Sequence, residues 1–63
     1  MSKIYLNNFR AIARAFAAGY TVWCAETGEG FLRTGGSSLN SATRVLHHIM
    51  RMFDERNTFY RDA

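Results

Sequence analysis

The sequence predicts a small single α+β domain with the element order (β)αββα, in which an antiparallel β-hairpin or a three-stranded sheet packs against two helices. Two segments carry apolar residues at helical spacing, the segments between them alternate as strands do, and glycines mark the breaks in a chain without proline. Because 48% of the 63 residues are hydrophobic, the chain fits one globular domain over residues 1–63 rather than a disordered segment.

The first two elements are a short N-terminal segment and a helix. Residues 1–6 form an N-terminal arm or an edge strand, because "KIYL" alternates. The helix covers "NNFRAIARAFAAG", where Asn7 or Asn8 caps the start and Gly19 ends the last turn. Its apolar face has i, i+3, i+4, i+7 spacing and consists of Phe9, Ile12, Ala13 and Phe16.

A hairpin follows, with strands in "YTVWCAE" and "GFLRT" around the loop "TGEG" at 27–30. Alternation places Tyr20, Val22 and Cys24 on one face of the first strand, and Thr21 and Trp23 on the other. Trp23 is exposed if the helices cover the first of these faces. A shift of one residue in the register would instead place it in the core, and the sequence leaves both readings open.

The longest helix is predicted over residues 39–56, after the turn "GGSS". Its broad apolar stripe consists of Leu39, Ala42, Val45, Leu46, Ile49, Met52 and Phe53. The turn could hold an anion at the helix N-terminus. The simpler interpretation is that the glycines turn the chain and Ser38, Asn40 or Ser41 caps the helix. Residues 57–63 are predicted to form a C-terminal tail that folds back through Phe59 and Tyr60, with a short strand as the alternative. A third strand for the sheet could come from residues 57–61, from residues 3–6 or from a second copy of the chain.

No arrangement typical of catalysis or metal binding is found in the sequence. Cys24 is the single cysteine, so no internal disulfide can form. His47 and His48 are adjacent, so on a helix they point about 100° apart and cannot chelate one metal together. No set of nucleophile, base and acid is visible. We therefore expect no enzyme activity, no cofactor and no metal site.

The sequence favours a cytoplasmic protein. The longest uncharged, mostly apolar stretch is "AFAAGYTVWCA", which is too short to span a bilayer, so no membrane partner is expected. The start "MSKIYLNNFR" lacks the apolar core of a signal peptide. A free thiol among apolar residues also suits a reducing compartment.

Arginine dominates the basic residues. Lysine and arginine total 8 against 5 acidic residues, giving a net charge of +3, and seven of the eight are arginine. Guanidinium groups bind carboxylates and phosphates in a bidentate way, so either an acidic protein surface or nucleic acid is a possible partner. The candidate partner-binding residues are Trp23, Arg33, Arg44, His48, Arg51, Arg10 and Arg14.

These features favour a small protein-interaction inhibitor or adaptor, of the kind that phages and mobile elements encode. It would act by steric occupation of a larger host protein with an acidic surface. The alternative is a small basic nucleic-acid-binding protein that uses the arginine faces of its two helices, Arg10 with Arg14 and Arg44 with Arg51. A homodimer is also possible, because alanines on the first helix (Ala11, Ala15, Ala18) permit close approach.

Overall fold

A computed structural model of the chain describes residues 2–33 and 39–63, with only the backbone for residues 39 and 40. The turn at Gly35–Ser38 and a helix cap at Ser38 lie outside the described residues. The elements, in chain order, are β1 (Lys3–Tyr5), α1 (Phe9–Ala17), β2 (Val22–Cys24), β3 (Gly30–Phe31), α2 (Leu39–Asp54) and β4 (Phe59–Asp62). The predicted α+β class is confirmed.

The four strands form one antiparallel sheet in the order β1-β4-β2-β3. The sheet is therefore larger than the predicted hairpin or three-stranded sheet. Residues 57–63, which we expected to form a tail or a short third strand, contribute the strand that lies between β1 and β2. A hairpin alone is marginally stable in water, and β4 adds the pairing that joins β1 and the β2–β3 hairpin into one sheet.

Helix α1 begins and ends where the sequence predicts. The Asn8 side-chain Oδ1 accepts a hydrogen bond from the N–H of Ala11 at 2.9 Å, which caps the first turn. At the other end Gly19 has φ +95°, the left-handed conformation that glycine adopts most easily. Its N–H donates to the carbonyl of Phe16 at 3.2 Å, and the next N–H, from Tyr20, donates to Ala15 at 3.0 Å. These two bonds form a Schellman motif.

Helix α2 also ends with a Schellman motif, which directs the chain into β4 of the sheet. Arg56 takes the left-handed position with φ +71°, and the N–H of Asn57 donates to the carbonyl of Met52 at 3.1 Å. The side-chain amide of Asn57 donates to the same carbonyl at 2.8 Å. The helix therefore stops at Asp54, two residues before the predicted end, and β4 starts at Phe59.

The β2–β3 hairpin is shorter than predicted, because β2 ends at Cys24 and β3 at Phe31. The N–H of Ala25 donates to the carbonyl of Thr58 at 2.8 Å, which continues the pairing of β2 with β4 by one residue. The remaining loop is closed by the N–H of Gly28, which donates to the carbonyl of Cys24 at 2.9 Å.

Both helices pack on one face of the sheet. Val22 and Cys24 are fully buried, and Phe59 is 1% exposed, so these strand residues face the helices. The buried core consists of Leu6, Ile12, Ala15, Phe16, Val22, Cys24, Ile49, Met52 and Phe59. Because side chains alternate along a strand, the residues between them point to the opposite face, which no helix covers.

Glu26 fastens the hairpin loop to the start of β4. Its Oε1 accepts from the N–H of Thr58 at 2.6 Å, and its Oε2 accepts from the Thr58 hydroxyl at 2.8 Å. The backbone bond, and next the hydroxyl bond, favour the charged carboxylate, so the pKa of Glu26 lies below its ordinary value of 4.5. A group with a lowered pKa in the folded state stabilises the fold above its unfolded-state pKa, and this stability is lost as the pH falls.

We therefore predict that Glu26→Gln makes the domain less sensitive to acid. The wild type should lose more thermal stability between pH 6 and pH 3 than the variant, because only the wild type has a carboxylate to protonate there. Thermal unfolding followed by circular dichroism at both pH values measures the difference. Glu29→Gln is the matched control, because the Glu29 carboxylate accepts no hydrogen bond from the part of the chain that the structure describes. Equal acid sensitivity in Glu26→Gln and the wild type would contradict the prediction.

Candidate partner-binding surfaces

Trp23 lies on the uncovered face of the sheet. Its neighbours along β2, Val22 and Cys24, are fully buried against the helices, so its own side chain points away from them. The indole is half-buried rather than fully exposed. It covers the backbone of Gly30, its partner on β3, where an added Cβ would lie 2.7 Å from one ring atom and 2.9 Å from another. The structure thus favours the exposed-face interpretation over the core interpretation.

Two tyrosines continue from Trp23 across the sheet. Tyr60 of β4 is the register partner of Trp23, and Tyr5 of β1 is the register partner of Tyr60. The two tyrosine rings have centroids 5.7 Å apart and planes tilted by 54°. Tyr5 is 49% exposed and Tyr60 is half-buried. We call Tyr5, Trp23 and Tyr60 together the aromatic face.

The aromatic face carries little net charge. Alternation places one lysine and one aspartate of the strands on this side, Lys3 of β1 and Asp62 of β4, which are register partners. The Lys3 Nζ lies 4.7 Å from the centroid of the Tyr60 ring, a cation–π contact. Among the described residues, the two tyrosine hydroxyls and the indole N–H make no hydrogen bond. The aromatic face thus combines three large aromatic side chains with three polar groups that have no partner in the part of the chain that the structure describes.

The arginines of the two helices lie on the other side of the molecule. Arg10 and Arg14 are exposed and one turn apart on α1, roughly opposite the buried Ile12. Arg44 and Arg51 are exposed on α2, on the side away from the buried Ile49. The sheet and its core therefore separate these arginines from Trp23, and the predicted residues do not form one continuous site.

Arg33 has a structural contact that the sequence did not indicate. Its Nη1 donates to the carbonyl of Ala17 at 3.0 Å, which satisfies one of the free carbonyls at the end of α1. The side chain also lines a groove of about 340 Å³ between the helices, together with Ala13, Phe16, Ala17, Ala42, Thr43 and Leu46. Arg44 is not among the described residues that line this groove, so the two arginines do not converge there.

His48 packs against the edge of the sheet. Its ring centroid lies 5.7 Å from that of Phe31 on β3, with the planes at 65°, although the histidine as a whole is exposed. We predicted His48 as a partner-binding residue together with Arg44 and Arg51. The contact with Phe31 places it on the flank of α2, next to β3.

Tyr60, Arg61 and Lys3 are surface residues that the candidate set missed. Tyr60 was missed because residues 57–63 were interpreted as a tail or a short strand with no assigned place in the sheet, and the four residues "FYRD" carry too little pattern to assign one. Arg61 points to the helix side, where its guanidinium carbon lies 4.1 Å from the centroid of the Tyr20 ring. The contact of Lys3 with Tyr60 and that of Arg61 with Tyr20 are not visible in the sequence, because each joins residues that are distant along the chain.

Within residues 2–33 and 39–63, no three histidine, cysteine, aspartate or glutamate side chains are placed to hold a metal ion. Neither helix there combines the length and apolar character needed to cross a membrane. Cys24 is a free, buried thiol whose sulfur lies 3.6 Å from the Asn57 Oδ1 and 3.8 Å from the Glu26 Oε1.

We predict that Gly30→Ala destabilises the domain by about 1–3 kcal/mol, the usual cost of inserting a methyl group into a filled site. The main cause is the Trp23 ring, so most of the cost should disappear in a Trp23→Ala background, where alanine at position 30 meets the Thr21 methyl group at 3.1 Å but no indole. Urea unfolding of the four variants of this cycle measures the coupling. The same cost in both backgrounds would show that Gly30 is needed for a reason other than the indole.

Comparisons with protein-family models, with curated proteins and with solved structures find no match to this chain.

Proposed function

We propose that this chain is a protein-binding module that docks on a larger protein through its aromatic face. The observation that carries the proposal is the row of Tyr5, Tyr60 and Trp23 across three neighbouring strands on the side without helices. The module blocks or bridges its partner by occupying a surface, which requires no catalytic residues.

The composition of the row supports a protein interface. Tyrosine and tryptophan are enriched among the residues that contribute most to binding between proteins, because they bury a large area and also form hydrogen bonds. Here both tyrosine hydroxyls and the indole N–H lack partners within the described residues. A partner surface that is largely uncharged and offers hydrogen-bond acceptors satisfies these groups as the rings are buried.

The charge distribution favours a protein over a nucleic acid on this face. A protein that binds single strands needs basic groups along the phosphate backbone beside its stacking aromatics. Among the described strand residues, Lys3 is the one basic group on the aromatic face, and it lies opposite Asp62. Arg10, Arg14 and Arg51 are exposed on the helices instead, so the charges beside these aromatic rings support a protein partner for this face.

We further propose that the module acts in the cytoplasm and belongs to the class of small phage or mobile-element proteins that bind a host protein. The free thiol of Cys24 is compatible with a reducing compartment.

Alanine substitution of Tyr5 tests the proposal. We predict that Tyr5→Ala weakens binding to the captured partner by about 30-fold, the loss expected when an aromatic contact worth about 2 kcal/mol is removed. Tyr5 is suited to this test because it is 49% exposed and not part of the core. The full chain serves as bait in a lysate of its own host, with and without nuclease, and the affinity of the purified partner is then measured by calorimetry.

Arg51→Ala is the matched control, because Arg51 is exposed on α2 and its side chain makes no hydrogen bond or ion pair within the described residues. It should leave the affinity within about threefold of the wild type, as expected for a residue outside the interface. The proposal is wrong if Arg51→Ala weakens binding and Tyr5→Ala does not. It is also wrong if nuclease abolishes the capture, which would support the nucleic-acid hypothesis.

A further inference from the structure

A shallow pocket of about 320 Å³ lies beside α1, on the side of the sheet that the helices cover. Its floor is apolar and formed by small side chains and one leucine: Leu6, Ala11, Ala15 and Ala18. Its rim carries Arg14, Tyr20 and Arg61. Because alanine side chains are short, they leave room above the floor for a side chain of a partner. Ala11, Ala15 and Ala18 are the residues that the sequence indicated as a possible homodimer contact. In the structure, Arg14 and Arg61 lie beside them.

Arg61 is held in place before any ligand arrives. Its guanidinium lies over the Tyr20 ring, with the central carbon 4.1 Å from the ring centroid. One nitrogen, Nη1, donates to the carbonyl of Asp62 at 3.0 Å. Both contacts limit the motion of the side chain, and the other guanidinium N–H groups remain available. A fixed guanidinium loses little conformational entropy when it binds an anion.

Arg14 supplies a second cation at the rim of the same pocket. It is exposed, and it makes no ion pair within the part of the chain that the structure describes. None of the described lining residues is acidic, so nothing among them neutralises the two guanidinium groups. An apolar floor with two unneutralised arginines at its edge is complementary to an apolar side chain that stands next to a carboxylate.

We propose that this pocket binds an acidic peptide segment of a partner protein, with an apolar side chain on the alanine floor and a carboxylate between Arg14 and Arg61. The pocket and the aromatic face lie on opposite sides of the sheet. The inference is therefore independent of the proposed function, and each surface can bind when the other is altered.

A pair of synthetic peptides tests the proposal. One is an acetylated and amidated peptide of twelve residues, built from four repeats of leucine, glutamate and alanine. The second peptide carries glutamine in place of each glutamate. Titrated into the ¹⁵N-labelled full chain, the glutamate peptide should shift the amide signals of Ala11, Ala15 and Ala18 and the Nε–H signal of Arg61. The glutamine peptide should bind about tenfold more weakly, the effect of losing one charge-assisted contact.

Four variants distinguish binding in the pocket from general attraction to a basic protein. Arg14→Gln should weaken the glutamate peptide about tenfold, whereas Arg10→Gln, one turn away on α1 and not among the lining residues, should change it less than about twofold. Ala18→Leu fills the pocket without changing charge and should weaken the peptide about tenfold as well. Tyr5→Ala, on the aromatic face, should have no effect.

Several results would overturn the proposal. One is equal binding of the two peptides, and another is equal loss in Arg10→Gln and Arg14→Gln, which would indicate nonspecific attraction. The absence of any signal shift at millimolar peptide would do the same. Oligothymidine is included as a phosphate probe. If it shifts the pocket signals and the glutamate peptide does not, the site recognises phosphate and the proposal is wrong.

Discussion

The pairing of β4 with both β1 and β2 is the constraint on which the rest of the structure depends. Phe59 opens this strand, is 1% exposed, and lies opposite Cys24 of β2. Its carbonyl accepts from the N–H of Leu6 at 2.8 Å, which continues the ladder towards the start of α1. Without β4, β1 would have no partner in the sheet, and the β2–β3 hairpin would be too small to be stable alone.

The sharp ending of α2 makes this pairing possible. Arg56 in the left-handed conformation and the bonds of Asn57 to Met52 turn the chain within a few residues, so that Phe59 enters the sheet. Glu26 then ties the hairpin loop to Thr58, the residue before the strand. A chain of 63 residues can bury only a small core, so such polar contacts at the ends of elements matter more than in a large domain.

A sheet with both helices on one face has a second face without cover, and the two proposed surfaces follow from this layering. Alternation along β4 sends Phe59 into the core and Tyr60 outward, beside Trp23 and Tyr5. The next residue, Arg61, returns to the helix side and reaches Tyr20. One short strand thus contributes to the core, to the aromatic face and to the pocket beside α1.

The parts of the fold that depend on local signals could be predicted, and those that depend on distant pairing could not. The bounds of α1 follow from Asn8 and Gly19, which act within one turn of their own positions. The side on which Trp23 lies depends on which face the helices cover, and a shift of one residue reverses it. Tyr60 was missed because a four-residue strand carries little pattern, and its partners are more than thirty residues away along the chain. The hydrogen bond from Arg33 to the carbonyl of Ala17 could not be predicted for the same reason, because the two residues are distant along the chain.

The position of the Trp23 ring tests the central claim most directly, because the aromatic face exists only if this ring is on the side without helices. Nuclear Overhauser effects from the indole protons in the free full chain report that position. The account predicts cross-peaks to the Gly30 Hα and the Thr21 methyl group, whose Cγ2 lies on the same side. Ile12 of α1 and Ile49 of α2 are fully buried on the opposite side of the sheet. Cross-peaks from the indole to their methyl groups would contradict the account.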